Sequence, residues 1–463
     1  MALSQADVPE QAETDESRFV VDGELVGEVV EALRYGDTRA LGELLTDIHA
    51  ADMADLLQLL KPIDRRRLVI ALGNRFEPEI LSYLDPVVRE EIIDTLGPRR
   101  AGQILAELEV DDAVNVLGQL GEGEQMRLLA AMPQDDRSLL EQGLAYPEYT
   151  AGRLMQRELV AVPQYWTVGQ AIDFLRSNAD LPDEFYDLFI VDPRFKPVGM
   201  IPLSNVLRNR RDVPLGKLAL KDLQPIEVHT DQEDVAFAFR QYDLTSAPVV
   251  DQTGRLLGVI TIDDVVDVIE EEAEDDLLKL GGVSETDIFD RPVVTARKRF
   301  PWLIVNLITA IVASLVIAQF DDTIEVVVAL AVLMPMVASM GGNAGTQTMT
   351  VVVRSLATKE VTMANAFRVL IKELIVGIMN GGLFLVIGAV IAIIWVGSPL
   401  IAGLFGLALI VNMVVAALAG VIIPVTLERL GQDPAVSSGI FLTTVTDVTG
   451  FFVFLGLATV YLL

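Results

Sequence analysis

The sequence predicts a multidomain protein with an all-α superhelical N-terminal domain, an α/β domain built from two similar halves, an acidic connecting helix and an all-α transmembrane domain of five helices. Three observations predict this architecture: a motif that recurs every 24 residues, a strand and helix pattern that occurs twice, and five long apolar stretches. The predicted boundaries are 1–23 (disordered tail), 24–147 (helical domain), 148–212 and 213–270 (two α/β halves), 271–299 (connecting helix and linker) and 300–463 (transmembrane domain).

The helical domain is predicted from its period. The recurring segments are Leu60-Lys61-Pro62, Leu84-Asp85-Pro86, Leu108-Glu109-Val110 and Met132-Pro133-Gln134, and an amphipathic stretch follows each of them. A period of this size is typical of stacked helical units that bury a core only together. We therefore expect a superhelix of short helices.

The α/β domain is predicted from an internal duplication. Phe189-Ile190-Val191-Asp192 and the following Val198-Gly199-Met200-Ile201 match Val249-Val250-Asp251 and Leu257-Gly258-Val259-Ile260, with Asp192 and Asp251 59 residues apart. Two copies of a strand–turn–strand–helix unit resemble a tandem CBS (Bateman) module. Such modules often bind adenosine nucleotides, so the resemblance makes ATP a candidate ligand of the pair.

An acidic helix follows the second copy, over residues 263–276. Like charges one helical turn apart destabilise a helix unless a counterion neutralises them. Divalent cations such as Mg²⁺ and Ca²⁺ prefer oxygen ligands and would do so. A solvated acidic linker is the alternative interpretation.

The C-terminal third is predicted to span a membrane. Its apolar stretches cover about 301–320, 324–353, 362–395, 399–427 and 434–463, each long enough to cross the hydrocarbon core. Basic residues precede the first stretch and flank the loop between the second and third, which places both on the cytoplasmic side. No signal peptide is recognised. We therefore expect a multi-pass protein of the inner (plasma) membrane, surrounded by lipid, with cytoplasmic soluble domains and the C-terminus outside.

Polar residues within these stretches indicate a cation path. Asp447 stands in the fifth stretch among Thr443, Thr444 and Thr446, and a carboxylate at this depth is costly unless it faces water or protein. A structural hydrogen bond to a neighbouring helix is the alternative for Asp447. The segment 341–347 (GGNAGTQ), which includes Asn343, predicts either non-helical backbone lining a cavity or a close helix crossing.

Composition excludes several classes of function. The net charge is −31, and residues 301–463 contribute only −3 of it, so the first 300 residues carry −28. This charge disfavours nucleic acid as a partner and attracts cations, although it can also serve solubility alone. The absence of cysteine and the presence of only two histidines exclude thiol catalysis and the usual zinc sites. No nucleophile and base pair indicates an enzyme.

The order of these parts resembles the MgtE family of Mg²⁺ channels. The most specific similarities are the segment 341–347, Arg354-Ser355-Leu356-Ala357-Thr358, Asp433-Pro434-Ala435 and Thr446-Asp447-Val448-Thr449-Gly450. The resemblance implies a homodimer in which Asp447 of each subunit holds a hydrated Mg²⁺ in the pore. It also implies cytosolic regulatory Mg²⁺ ligands at Glu79, Asp111, Glu233, Asp243, Asp264, Asp267, Glu272, Asp275 and Asp276.

The function expected from this resemblance is Mg²⁺ import that cytosolic Mg²⁺ shuts off. Two alternatives stay open from the sequence: a divalent cation transporter coupled to another ion, and a membrane signalling protein that senses nucleotides. The side chains Asn343, Thr443, Thr444 and Thr446 are candidates to line the pore.

Overall fold

The structure is a computed structural model that describes residues 21–178, 181–182, 185–283 and 292–463. The chain divides into two compact units, Met1–Ile269 and Glu270–Leu463. The disordered tail predicted at 1–23 lies outside the described residues up to residue 20, and Gly23 already belongs to the first helix.

The first unit opens with the predicted array of short helices. They are α1 (Gly23–Tyr35), α2 (Thr38–Leu44), α3 (Ala50–Leu59), α4 (Pro62–Leu72), α5 (Pro86–Leu96), α6 (Pro98–Leu105), α7 (Val110–Gly118), α8 (Glu122–Leu129) and α9 (Gln134–Leu144), with 3₁₀ turns at Gly73–Arg75 and Pro78–Leu81. One contiguous apolar core runs through the array. This confirms the all-α N-terminal domain.

The 24-residue period of the sequence is the period of the helix starts. Helices α4, α5, α7 and α9 begin 24 residues apart, and the apolar residue two positions before each start is buried. Two buried arginines one period apart repeat a contact: Arg65 Nη2 donates to the carbonyl of Leu60, and Arg89 Nη2 donates to that of Leu84. Each guanidinium thus satisfies a carbonyl left open where the chain turns between helices.

The α/β part of the first unit consists of two three-stranded sheets. Its elements are α10 (Ala151–Leu154), β1 (Ala161–Pro163), α11 (Val168–Ser177), β2 (Asp187–Val191), β3 (Pro197–Pro202), α12 (Leu203–Arg208), α13 (Leu215–Leu218), β4 (Ile226–Glu227), α14 (Gln232–Tyr242), β5 (Ser246–Val250), β6 (Leu256–Thr261) and α15 (Ile262–Leu280). The strand orders are β1-β2-β3 and β4-β5-β6, with a parallel first pair and an antiparallel second pair in each sheet.

The duplication is visible in the turn between the antiparallel strands. Asp192 Oδ1 accepts hydrogen bonds from the backbone of Arg194 and Lys196, and Asp251 Oδ1 accepts them from Thr253 and Arg255. An aspartate that binds the backbone two residues ahead fixes such a turn. Each sheet also carries an irregularity in strand pairing at the same place, between the last two residues of β2 and of β5.

The acidic helix begins earlier than the predicted connecting segment. Helix α15 starts at Ile262, directly after β6, and continues to Leu280 with no proline or glycine to interrupt it. The predicted boundary at 270/271 therefore falls inside one helix. Residues 284–291, which belong to the predicted linker, lie outside the described residues.

The second unit consists of long apolar helices. They are α16 (Pro292–Ala318), the short α17 (Asp321–Val326), α18 (Ala329–Ala357), α19 (Ala366–Val396), α20 (Pro399–Arg429) and α21 (Pro434–Leu462). By length and composition, four segments of the described chain can cross a membrane: Pro292–Ala318, Ala366–Val396, Pro399–Arg429 and Ser438–Leu462. Helix α18 is as long, but its polar segment 341–347 lowers its mean hydropathy, so the count of five spans stays a prediction.

The segment 341–347 is helical throughout, so non-helical backbone, one of its two predicted forms, is wrong here. The other form, a close helix crossing, is the one observed. A Cβ added to Gly341 would clash with the side chain of Asn412 on α20, and one added to Gly450 on α21 would lie 2.8 Å from Asn412 Nδ2. Asn412 is fully buried, and its Nδ2 donates to the carbonyl of Val337 on α18 at 2.8 Å. The glycines let three helices meet around one amide.

We predict that Gly341→Ala destabilises the packing of α18 against α20. The added methyl group overpacks a full site, which costs about 1–3 kcal/mol in a rigid interior. The measurement is the thermal unfolding of the full chain in detergent, and the midpoint is expected to fall.

Gly342→Ala is the matched control, because a Cβ at the adjacent Gly342 meets no atom within 4 Å. We expect the control to keep the midpoint of the unmodified chain or to raise it slightly. Equal loss of stability in both variants would contradict the crossing.

Candidate metal sites

Asp111 and Asp264 form a carboxyl pair inside the first unit. Asp111 lies in the first turn of α7 and is 7% exposed, and Asp264 lies in the first turn of α15. Asp264 lies close enough to Asp111 to raise the pKa of the Asp111 carboxyl group, so a proton held between them would relieve their repulsion. Asp264 Oδ2 also accepts from Thr261 Oγ1 at 2.8 Å. Within the described part of the chain, Asp111 Oδ1 has no hydrogen-bond partner.

Further carboxyl groups surround this pair. We call the set the acidic junction, and it comprises Glu79, Glu109, Asp111, Asp112, Asp263, Asp264 and Asp267. Four of its members were predicted from the sequence, and the structure brings these four into one neighbourhood. Sequence reasoning missed Glu109, Asp112 and Asp263. Asp112 and Asp263 adjoin a predicted ligand along the chain and Glu109 lies two residues from one, and this proximity was the available signal.

The electrostatics of the acidic junction disfavour full ionisation. Burial raises the pKa of Asp111 well above its ordinary value, and the charges of Asp264 and Asp112 raise it further. Partial burial and then the charges of Asp264 and Asp112 raise the pKa of Glu109 to about 7. The buried Arg89 acts on Asp112 in the opposite direction, and burial lowers its own pKa to about 10. Because the carboxyl groups of the acidic junction outnumber this arginine, their mutual repulsion is not neutralised.

These shifts make the first unit less stable as the pH rises. The folded state holds protons that the unfolded chain releases above the ordinary carboxyl pKa of about 4. The free energy of unfolding therefore falls as the pH rises from there through the raised pKa values towards 7. A divalent cation in place of the protons would offset this loss, and it would do so best above pH 7, where fewer protons compete.

The acidic junction is a concentration of charge and not a closed coordination shell. Within the described ranges, no group of three or more Asp, Glu or His side chains is arranged to hold a metal ion. The close contact is between Asp111 and Asp264. A cation that replaced their shared proton would take two protein oxygens and complete its shell with water, as Mg²⁺ commonly does.

The predicted ligands Glu233 and Asp243 stand at opposite ends of α14. Glu233 is in its first turn, and Asp243 is its C-cap in a left-handed conformation with φ 52°. Ten residues of helix separate them by about 15 Å. These two side chains therefore cannot bind the same ion.

In the second unit, the end of α15 is held by a lysine. Lys279 Nζ lies 2.5 Å from Asp275 Oδ2 and 2.6 Å from Asp433 Oδ2, while Asp433 Oδ1 caps the first turn of α21. Partial burial lowers the pKa of Lys279, but the hydrogen bonds to the two carboxylates outweigh it and raise the pKa above its ordinary value. Of the three predicted ligands in this segment, Asp275 thus already has a cationic partner.

Asp276 and Glu272 lie beside this lysine on α15. Partial burial, and then the charge of Asp433, raises the pKa of Asp276 to about 6. The charge of Glu272 acts in the same direction. Sequence reasoning missed Lys279 as a partner and Asp433 as a candidate ligand, because contact between the two ends of the unit is not readable from spacing.

Asp447 lies half-buried in the middle of α21, and Thr443 stands one turn before it on the same face. Thr443 and Thr444 donate to backbone carbonyls one turn back, at 2.8 and 2.7 Å. Thr446 is fully buried and also donates to its own helix, so it faces away from open surface in this chain. Asn343 is exposed on α18.

A small cavity of about 70 Å³ lies in the α/β part of the first unit. Its lining includes four carboxyl groups and no lysine or arginine: Glu109, Glu158, Asp187 and Asp263. Ser246 Oγ donates to Asp187 Oδ2 at 2.7 Å across it. A triphosphate needs positive charge and more room, so the residues of this cavity do not fit ATP.

We predict that Asp111→Asn raises the thermal midpoint of the full chain in a chelating buffer at pH 8. The amide keeps the shape but removes a buried charge that its neighbours repel, which is worth about 1–3 kcal/mol. It should also reduce the additional stabilisation that Mg²⁺ provides. The measurement is thermal unfolding with and without Mg²⁺.

Asp135→Asn is the matched control, because Asp135 stands one 24-residue period after Asp111 but is exposed in the first turn of α9. We expect it to change neither midpoint. If Asp111→Asn behaved like the control, the acidic junction would not be a site of charge strain.

Family models match most of the chain. The MgtE intracellular N domain matches residues 48–149, the CBS domain matches 151–212 and 215–271, and the MgtE divalent cation transporter domain matches 334–457. A solved structure, the cytosolic domain of the Mg²⁺ channel MgtE in complex with ATP, is 34% identical, covers 52% of this chain and 99% of its own, and superposes with a TM-score of 0.49.

Two curated relatives are similar over most of their length. The magnesium transporter MgtE of Thermus thermophilus is 35% identical over 440 residues, which are 93% of this chain and 97% of that protein. The magnesium transporter MgtE of Bacillus subtilis is 32% identical over 318 residues, which are 68% and 70% of the two chains. The resemblance read from the sequence is confirmed: the chain belongs to the MgtE family of divalent cation transporters.

Proposed function

We propose that this protein imports Mg²⁺ across the plasma membrane and that Asp447 is the carboxylate of its pore. The single observation that carries the proposal is a half-buried acid in the middle of an apolar 29-residue helix, in a chain related over nearly its full length to a magnesium transporter. A charged side chain is costly at that position in an apolar helix, so its presence there indicates a functional role. Membership of a transporter family also supports the prediction that the protein is not an enzyme.

The pore is formed by two copies of the chain. Asp447 and Thr443 share a face of α21 that the other helices of this chain leave partly open. A twofold axis beside that face brings the two Asp447 side chains towards each other. Mg²⁺ dehydrates reluctantly, so a pair of carboxylates binds it through its water shell and releases it again. The basic residues before the first apolar stretch and around the loop between the second and third support an orientation with the soluble domains in the cytoplasm and the C-terminus outside.

Cytosolic Mg²⁺ closes the pore by neutralising carboxylates. At low Mg²⁺ the acidic junction in the first unit and the carboxylates at the end of α15 repel their neighbours. Binding of Mg²⁺ favours the state in which these groups are closest. The ion shifts the equilibrium only by its difference in affinity between the two states, so several weak sites acting together make the response steep.

ATP has no step in this mechanism. The acidic cavity between the CBS strands offers no basic side chain for its phosphates. Binding of ATP elsewhere on the CBS pair stays a prediction.

We predict that Asp447→Asn abolishes Mg²⁺ import. The variant keeps the size of the side chain and removes the charge that attracts the ion. The measurement is growth of a Mg²⁺-requiring bacterial strain on low Mg²⁺ after expression of each variant. Asp321→Asn, in the exposed first turn of α17, is the control and is expected to support growth. Growth with Asp447→Asn would exclude Asp447 as the pore ligand.

We predict that Asp267→Ala combined with Asp276→Ala leaves the channel open at cytosolic Mg²⁺ levels that close the unmodified protein. Removal of two carboxylates deprives the closed state of ligands, so inhibition should need at least about tenfold more Mg²⁺. The measurement is patch recording with Mg²⁺ on the cytosolic side.

The control for this pair is Asp135→Ala combined with Glu274→Ala, which removes the same charge from exposed positions, one of them on the same helix. Unchanged inhibition in the first pair would refute the regulatory role, and equal loss in both pairs would assign it to net charge alone.

A further inference from the structure

A second buried carboxylate lies on one of the long apolar helices of the second unit, α19. Glu373 is 9% exposed and stands about 10 Å inside this helix, which is long and apolar enough to cross a membrane. Sequence reasoning treated Asp447 as the one clear intramembrane acid and did not single out Glu373. An ionisable group in such a helix faces protein or water, since hydrocarbon does not solvate it.

Glu373 borders a cavity of about 190 Å³ between α18, α19 and α20. The polar side chains around it are Gln347 and Thr348 on α18 and Glu373 and Asn380 on α19. Thr348 is buried, and its hydroxyl donates to Glu373 Oε2 at 3.1 Å. The volume has room for several water molecules.

The other polar groups of this lining point to an occupant. Gln347 and Asn380 are exposed in this chain, and across the described ranges neither side-chain amide has a protein hydrogen-bond partner. Amides that face hydrocarbon without a partner cost several kcal/mol each. One carboxylate, one hydroxyl and two amide oxygens around a wet space are the donor set that hard cations prefer.

We propose that this cavity binds one partly hydrated divalent cation through the Glu373 carboxylate. None of its lining residues belongs to α21, so the site is separate from Asp447. The neighbouring cation is Lys372, whose Nζ lies 3.4 Å from Glu373 Oε1 and whose side chain is 69% exposed. An ion pair this exposed is weak, so a divalent ion displaces the ammonium group into water.

The chain contains no cysteine, so a single introduced cysteine can carry a spin label to the cavity. Val376 lines the opening and is 38% exposed, which makes Val376→Cys the labelling site. The full chain in detergent, with Asp447→Asn added to remove the pore acid, is titrated with Mn²⁺ as the paramagnetic probe. We expect Mn²⁺ to broaden the label spectrum saturably and Mg²⁺ to reverse the broadening.

The decisive variant is Glu373→Gln, which keeps the side-chain size and still accepts the hydrogen bond from Thr348. We expect it to weaken the Mn²⁺ effect at least about tenfold. Glu360→Gln, in the exposed loop before α19, is the matched control and should leave the effect unchanged. A label at Tyr35→Cys, which is 75% exposed in the first unit, reports Mn²⁺ that does not occupy the cavity.

Two further variants keep the test sharp. Lys372→Met should strengthen Mn²⁺ binding by up to about fivefold, because it removes the competing charge. If Glu373→Gln does not yield folded protein, Asn380→Leu removes another donor and should weaken the effect. Broadening that survives Glu373→Gln, or that Na⁺ reverses as well as Mg²⁺ does, would overturn the proposal. Since Asp447 is absent in every arm, the result is independent of the pore assignment.

Discussion

Carboxyl groups held close together in poorly hydrated surroundings are the constraint on which the other features of this structure depend. Each of them must keep a proton, find a positive partner or bind a cation, because desolvation and mutual repulsion both oppose ionisation. The protein stabilises its carboxyl groups in different ways at different sites. Asp111 and Asp264 form a close pair in which the pKa of Asp111 is raised, Asp275 and Asp433 share the ammonium group of Lys279, and Glu373 accepts a hydrogen bond from Thr348 beside the exposed Lys372.

These partners of the carboxyl groups differ in how easily a metal ion takes their place. A proton leaves Asp111 and Asp264 as the pH rises, and a divalent cation can take its place at little cost. An ammonium group on the same chain does not leave, so a cation must displace it. The neutral hydroxyl at Glu373 offers a ligand and does not compete. In the proposed regulation, the sites along the chain therefore differ in how readily they exchange their present partner for Mg²⁺.

The parts of the fold that could be predicted are those that repeat. The 24-residue period fixed the helix starts at Pro62, Pro86, Val110 and Gln134, and the 59-residue duplication fixed the matching turns at Asp192 and Asp251, since a repeat needs no reference outside the sequence. The segment 341–347 was ambiguous, because glycine serves both a broken helix and a close crossing. The partner that decided it, Asn412, is remote in sequence.

The candidate sites were less predictable because the residues that meet in them are remote from one another in sequence. The family resemblance indicated Asp111 and Asp264, but only the fold shows that Asp264 raises the pKa of Asp111 and that Glu109 and Asp112 increase the charge around it. Glu373 was hidden by its place beside Lys372, since a charged pair at the end of an apolar stretch is usually solvated. Its burial depends on how α18 and α20 pack against α19.

Lys279 has a further consequence as a counterion that belongs to the chain. A tethered ammonium group has an effective concentration that the protein sets, in contrast to a dissolved ion, whose concentration the cell varies. The end of α15 is thus docked on the first turn of α21 without a divalent ion. In the proposed regulation this permanent counterion sets a threshold, because the carboxylates around Asp276 are already partly neutralised before any Mg²⁺ binds.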